Sequence, residues 1–117
     1  MLKYRLMHYL FSYGTLQLEK VQLENYDRIL TGKKDRIVGY KIEDLLIIDA
    51  IVLSKSQKNI HPVAVKTNNK NHFIEGIIFE ITEDELLETD KYEVSDYKRI
   101  LETFDSGKQA WIYVAKK

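Results

Sequence analysis

Residues 75–93 read EGIIFEITEDELLETDKYE. The opening of that stretch belongs to a β-branched and aromatic run, residues 73–81, that is expected to form a strand. At Thr82 the pattern changes. Thr82 carries the hydroxyl of a helix cap, Glu85 completes a capping box with it, and Ile81 and Leu86 stand where a hydrophobic staple closes over a helix entry. A strand that runs straight into a helix with a specified first turn calls for a chain of the α+β class. If the helix continues, Leu86, Asp90 and Glu93 follow at i, i+4 and i+7, which puts both acids on the side that Leu86 buries.

Working outward, short strand-like segments dominate. Residues 7–13 carry Tyr9, Leu10, Phe11 and Tyr13 and stop at Gly14, and residues 36–42, 45–53, 63–66, 97–104 and 110–115 have the same β-branched and aromatic character. One more helix is expected from Leu18, Val21, Tyr26, Ile29 and Leu30, with Gly32 as its C-terminal glycine. The polar residues 67–71 and the Asp105, Ser106, Gly107 turn read as hairpin connections. Pro62, with no N–H for a ladder, reads as a strand entry or an edge. Trp111 and Tyr113 alternate with Ile112 and Val114, so both faces of the last strand are apolar and it belongs to the core. No linker or repeat interrupts the pattern, and a single domain over residues 1–117, mostly strand and closed or half-closed, is expected.

Composition narrows the function. The chain has 117 residues, of which 44% are hydrophobic and 31% charged, the profile of a folded globular domain. Eighteen basic residues balance eighteen acidic ones, so no global field draws it to nucleic acid or an anionic membrane. Lys33, Lys34 and Arg36 around Asp35, near Tyr40, make a solvated loop rather than a nucleic-acid patch. With no cysteine there is no thiolate chemistry and no disulfide, which suits a cytoplasmic protein. No apolar run spans a bilayer and no signal peptide is read. His8, His61 and His72 lack the spacing of a metal pair, so no metal is expected, and no Ser-His-Asp set stands out.

Two features could carry chemistry. Glu93, expected at the end of the second helix, becomes a candidate general base if it is half-buried, because lost solvation raises a carboxyl pKa; otherwise it lies in solvent or pairs with Arg99. Tyr13, Gly14, Thr15 and Leu16 follow a strand and precede a helix. A glycine there, expected at positive φ, frees neighbouring N–H groups to face an anion or a polarised carbonyl; the plain alternative is a turn with no ligand.

In their order these motifs resemble the γ-glutamylcyclotransferase family in its short, plant-avirulence-protein-like branch: YGTL (Tyr13, Gly14, Thr15, Leu16), EGIIFEIT, DKYE ending at Glu93, YKR opening at Tyr97, and AWIYV from Ala110. The resemblance covers nearly the whole chain. It implies a small mixed β-barrel flanked by short helices and an enzyme that releases 5-oxoproline from a small γ-glutamyl amine or peptide, without cofactor, as a monomer or homodimer in the cytoplasm. By the same resemblance Glu93 is the general acid/base, the backbone of Tyr13, Gly14, Thr15 and Leu16 holds the γ-glutamyl group, Tyr97 lines the cavity, and Asp90 and Arg99 are supports. The family often has Leu before the Asp and Gly after the Glu, where this chain has Thr89 and Val94. Those departures support a rival expectation, a member of the fold that binds a metabolite or a protein without turnover.

Overall fold

A computed structural model describes residues 7–46, 60–92 and 97–116. In chain order the elements are β1 (Met7–Ser12), a 3₁₀ turn (Thr15–Gln17), α1 (Glu19–Tyr26), β2 (Thr31–Val38), β3 (Tyr40–Leu46), β4 (Ile60–Lys66), β5 (Phe73–Thr82), α2 (Glu83–Tyr92), β6 (Tyr97–Thr103) and β7 (Gln109–Ala115). The α+β class holds. Seven strands among the described residues form one sheet in the order β2-β5-β1-β7-β4-β3, with β6 added to β7.

Period-two alternation explains how one sheet serves two cores. On β7, Ala110, Ile112 and Val114 join Phe11, Ile37, Tyr40, Ile74 and Ile78 on one side. Tyr113, with the partly buried Trp111, joins Leu10, Phe79, Ile81 and Leu86 on the other, under the helices. The two-faced apolar reading of the last strand is therefore correct. The two ends of the sheet order, β2 and β3, are consecutive strands separated only by Gly39 at φ 87, so the sheet edges meet at one corner. No ladder joins those edges among the described residues, and the barrel stays open.

The α2 entry forms as its sequence demands. Thr82 N–H donates to Glu85 Oε1 at 2.8 Å and Glu85 N–H donates to Thr82 Oγ1 at 3.2 Å. Ile81 and Leu86 are buried in one cluster. The Glu85 carboxylate also takes Arg28 Nε at 2.6 Å and Nη2 at 2.7 Å, which ties the chain after α1 to the first turn of α2.

Other expectations are corrected. The first helix ends at Asp27, not Gly32: Asp27 adopts the left-handed conformation at φ 58 and its N–H closes on Leu23 O at 3.0 Å. Gly32 lies in β2, where an added Cβ would sit 2.6 Å from Phe79 Cδ1. Residues 36–42 are two strands broken at Gly39, and residues 47–53 of the expected 45–53 segment lie outside the described residues. Residues 67–71 do not close a hairpin, because β4 pairs with β3 and β7 while β5 pairs with β2 and β1; the link crosses over Gly39, whose carbonyl accepts Thr67 N–H at 2.7 Å. Pro62 stands inside β4 rather than at its first residue. The Asp105 to Gly107 turn is a hairpin, joining β6 and β7 in antiparallel register from Tyr97↔Ala115 to Thr103↔Gln109.

At Gly76 β5 leaves no room for a side chain against the end of β1, since an added Cβ would lie 2.3 Å from Ser12 backbone O and 2.7 Å from Phe11 Cζ. Gly76→Ala should therefore separate the two central strands and cost at least about 2 kcal/mol, read as a fall in Tm of roughly 10 °C by thermal denaturation. An unchanged Tm would show that β1 can move aside freely.

Candidate active site

The site is built on a shortage of strand edge. β6 covers one edge of β7 from end to end. On the other edge β1 runs parallel and bridges at Leu10↔Trp111, and β4 runs parallel and bridges at Ala64↔Val114. The turn Tyr13, Gly14, Thr15, Leu16 leaves β1 at the point where one strand hands that edge to the other.

Tyr13 fills the handover. Its hydroxyl donates to Tyr113 O of β7 at 2.6 Å and accepts Ala64 N–H of β4 at 3.0 Å. Gly14 has φ −137 and ψ −146, so the expected positive φ is absent, and an added Cβ there would meet nothing within 4 Å. The shape of the turn comes from side chains instead. Ser12 Oγ accepts Gly14 N–H at 3.3 Å, and Gln17 Nε2 donates to Ser12 O at 2.8 Å. Gln22, only 2% exposed, donates to Leu16 O at 2.9 Å and accepts Leu30 N–H at 2.9 Å. Leu16 is buried beneath. Among the described residues the N–H groups of Thr15 and Leu16 have no acceptor, and Gly14 and Thr15 are exposed. Two adjacent amide dipoles without a protein acceptor are suited to an oxyanion or a carboxylate.

The second half of the site is the last turn of α2. Asp90 Oδ1 and Oδ2 accept Arg99 Nε and Nη2, each at 2.8 Å, and Tyr113 OH donates to Oδ1 at 2.6 Å. The Arg99 guanidinium holds the Asp90 carboxyl below the usual range; burial opposes this and Tyr113 adds to it. Arg99 also lies 4.3 Å over the Trp111 ring. Tyr97 OH donates to Pro62 O at 2.6 Å, tying β6 to β4. Tyr113 therefore joins the two halves, its carbonyl taking Tyr13 and its hydroxyl holding Asp90.

Glu93 and Val94 lie outside the described residues. Glu93 follows Asp90 by three residues and precedes Tyr97 by four. Thr89 is described: it is 3% exposed, its Oγ1 donates to Glu85 O at 2.7 Å and meets the Tyr26 hydroxyl, so this departure joins α1 to α2. Sequence reasoning missed Gln22, which no helical apolar pattern would pick out, and treated Tyr113 only as core. A shallow groove lined by Lys41, Asn71, His72, Phe73 and Glu75 holds none of the expected site residues. Among the described residues no grouping of three or more His, Asp or Glu could hold a metal ion, and no helix is long and apolar enough to cross a membrane.

Comparison with known proteins bears on this arrangement. The model of a family described as gamma-glutamyl cyclotransferase, AIG2-like, matches residues 10–117. A solution structure of an Arabidopsis thaliana protein is similar at TM-score 0.70 and 19% identity, over 98% of this chain and 66% of that one. A structure titled gamma-glutamyl cyclotransferase is similar at TM-score 0.71 and 11% identity, over 95% of this chain and 68% of that one. An uncharacterized protein from Pyrococcus horikoshii is similar at TM-score 0.63 and 16% identity, over 94% and 79%. These likenesses establish the fold. The chain spans about two thirds of the length of the first two. No curated protein sequence matches it.

Because the Asp90 carboxyl titrates below its ordinary value of 3.8 in the folded chain, its contribution to stability is complete above that value and is lost as pH falls below it. Asp90→Asn should lower stability at pH 7 by about 1–2 kcal/mol, given the partial exposure of the pair. It should also flatten the acid limb of a Tm-against-pH curve below about pH 4. Parallel acid limbs for the variant and the wild type would show that the pair does not control acid stability.

Proposed function

The chain belongs to the gamma-glutamyl cyclotransferase, AIG2-like family, and on that premise we propose that it is an enzyme that releases 5-oxoproline from a γ-glutamyl amine or γ-glutamyl peptide by intramolecular aminolysis. The observation that carries the reading is the pair of unengaged amides at Thr15 and Leu16, set beside the strand that also anchors the end of α2. They hold the substrate α-carboxylate and fold the γ-glutamyl chain so that its α-amine lies over its own γ-carbonyl. Attacker and target then belong to one molecule, and such positioning supplies up to about 7–11 kcal/mol.

In the proposed sequence Glu93, as carboxylate, takes a proton from the α-ammonium. The freed amine attacks the γ-carbonyl carbon, Glu93 hands its proton to the γ-amide nitrogen as the C–N bond breaks, and the extra proton left on the ring nitrogen goes to the departing amine, which leaves as an ammonium. No water is consumed. Asp90 does not suit this role: both its oxygens are taken by Arg99, one also by Tyr113, and its pKa is depressed, whereas a general base near neutral pH needs a raised one. The Asp90–Arg99 bridge instead spans the nine-residue interval that contains Glu93, and in this reading Tyr97, whose hydroxyl is held on Pro62 O, flanks the substrate from β6. Thr89, absorbed into the contact between α1 and α2, gives the non-catalytic alternative little support. The absence of cysteine suits action in the reducing cytoplasm.

The test is formation of 5-oxoproline from a panel of γ-glutamyl amines and γ-glutamyl dipeptides. Glu93→Gln should keep the Tm and KM of the wild type while kcat falls about 10²–10⁴-fold. Wild-type turnover in that variant would remove Glu93 from the mechanism, and a wild type inert toward the whole panel would favour a binding role for the cavity.

A further inference from the structure

Tyr13 opens the turn that the proposed activity uses, yet its hydroxyl is spent on protein rather than offered to a ligand. It donates to Tyr113 O and accepts Ala64 N–H, at the level where β1 has given up the edge of β7 and β4 has taken it over. A continuous ladder would supply one backbone donor and one backbone acceptor at that place. The phenol supplies both from a single oxygen. Its ring stays on the core side, 6.3 Å from Phe11. Two and three residues further on are the amides of Thr15 and Leu16, which no described residue engages.

We propose that Tyr13 is a positioning residue for the γ-glutamyl group: by patching the ladder between β4 and β7, its hydroxyl fixes where the turn leaves the sheet and hence where the Thr15 and Leu16 N–H groups point, without itself touching substrate. The inference rests on the cyclotransferase reading above. The α-carboxylate that those amides hold is unchanged between bound substrate and transition state, so the hydroxyl governs ground-state binding and leaves proton transfer to other groups.

Tyr13→Phe keeps the ring and removes both bonds. It is compared with the wild type and with Ile37→Val, a change in the buried core on the Phe11 side. The measurements are KM and kcat for a γ-glutamyl amine, the affinity for 5-oxoproline by NMR titration, and hydrogen exchange at the Ala64 amide. Tyr13→Phe should raise KM and the 5-oxoproline Kd roughly tenfold, keep kcat within about twofold, and speed exchange at Ala64. Ile37→Val should lower Tm and leave KM alone. An unchanged KM, or a fall in kcat alone, overturns the proposal while the activity stands; a wild type that neither forms nor binds 5-oxoproline overturns the activity itself. Should Tyr13→Phe fail to fold, wild-type titration decides. Shifts of the Ala64 and Tyr113 amides together with those of Thr15 and Leu16 support the coupling, and shifts confined to the turn refute it.

Discussion

β7 has two edges and three partners, and the rest of the molecule follows from how that conflict is resolved. β6 takes one edge along its whole length, so β1 and β4 must share the other, one after the other and both parallel to β7. Two strands that share an edge end to end must part from one another. The chain leaving β1 therefore enters a gap in the ladder rather than a closed sheet, and the carboxyl end of a parallel strand where neighbours diverge is a common place for a ligand to sit. The gap would leave a buried carbonyl and a buried N–H unmatched, at a cost of about 1–3 kcal/mol each, and one tyrosine oxygen satisfies both.

α2 is held at both ends by carboxylates, and the way they are held separates structural acids from chemical ones. Glu85 accepts its own cap and a bidentate Arg28 at the first turn; Asp90 accepts a bidentate Arg99 and a tyrosine at the last. Both are pushed below the ordinary carboxylate range by a guanidinium. An acid so supplied with donors keeps its charge and gives the helix a fixed position. Proton exchange near neutral pH needs a carboxylate with fewer donors and less water, a condition that neither Glu85 nor Asp90 meets.

How much of this was legible depends on how local the cause is. The capping box could be read because Thr82 and Glu85 satisfy each other within one turn, and the two-faced β7 because alternation is a property of the strand alone. The end of α1 was misread because Asp27 takes the left-handed position usually given to glycine, while Gly32 answers a distant demand, the Phe79 ring across the ladder. Residues 67–71 have hairpin composition but no hairpin, because strand partners are chosen by the whole sheet. At the candidate site the YGTL turn was picked out in part for a positive φ that Gly14 does not adopt. What shapes that turn is Ser12, Gln17 and the buried amide of Gln22, each acting through bonds that no spacing rule encodes.

Thr89 shows the same dependence on distant partners. A leucine at this place would fill the space between the helices with apolar surface alone. Threonine instead returns its proton to Glu85 O, as a hydroxyl within a helix can, and its oxygen meets the phenol of Tyr26 across the interface. The change is coherent only with a tyrosine on α1 and with burial deep enough to keep water from competing, and both conditions are met. The departure from the family pattern at Thr89 is thus a packing solution between α1 and α2.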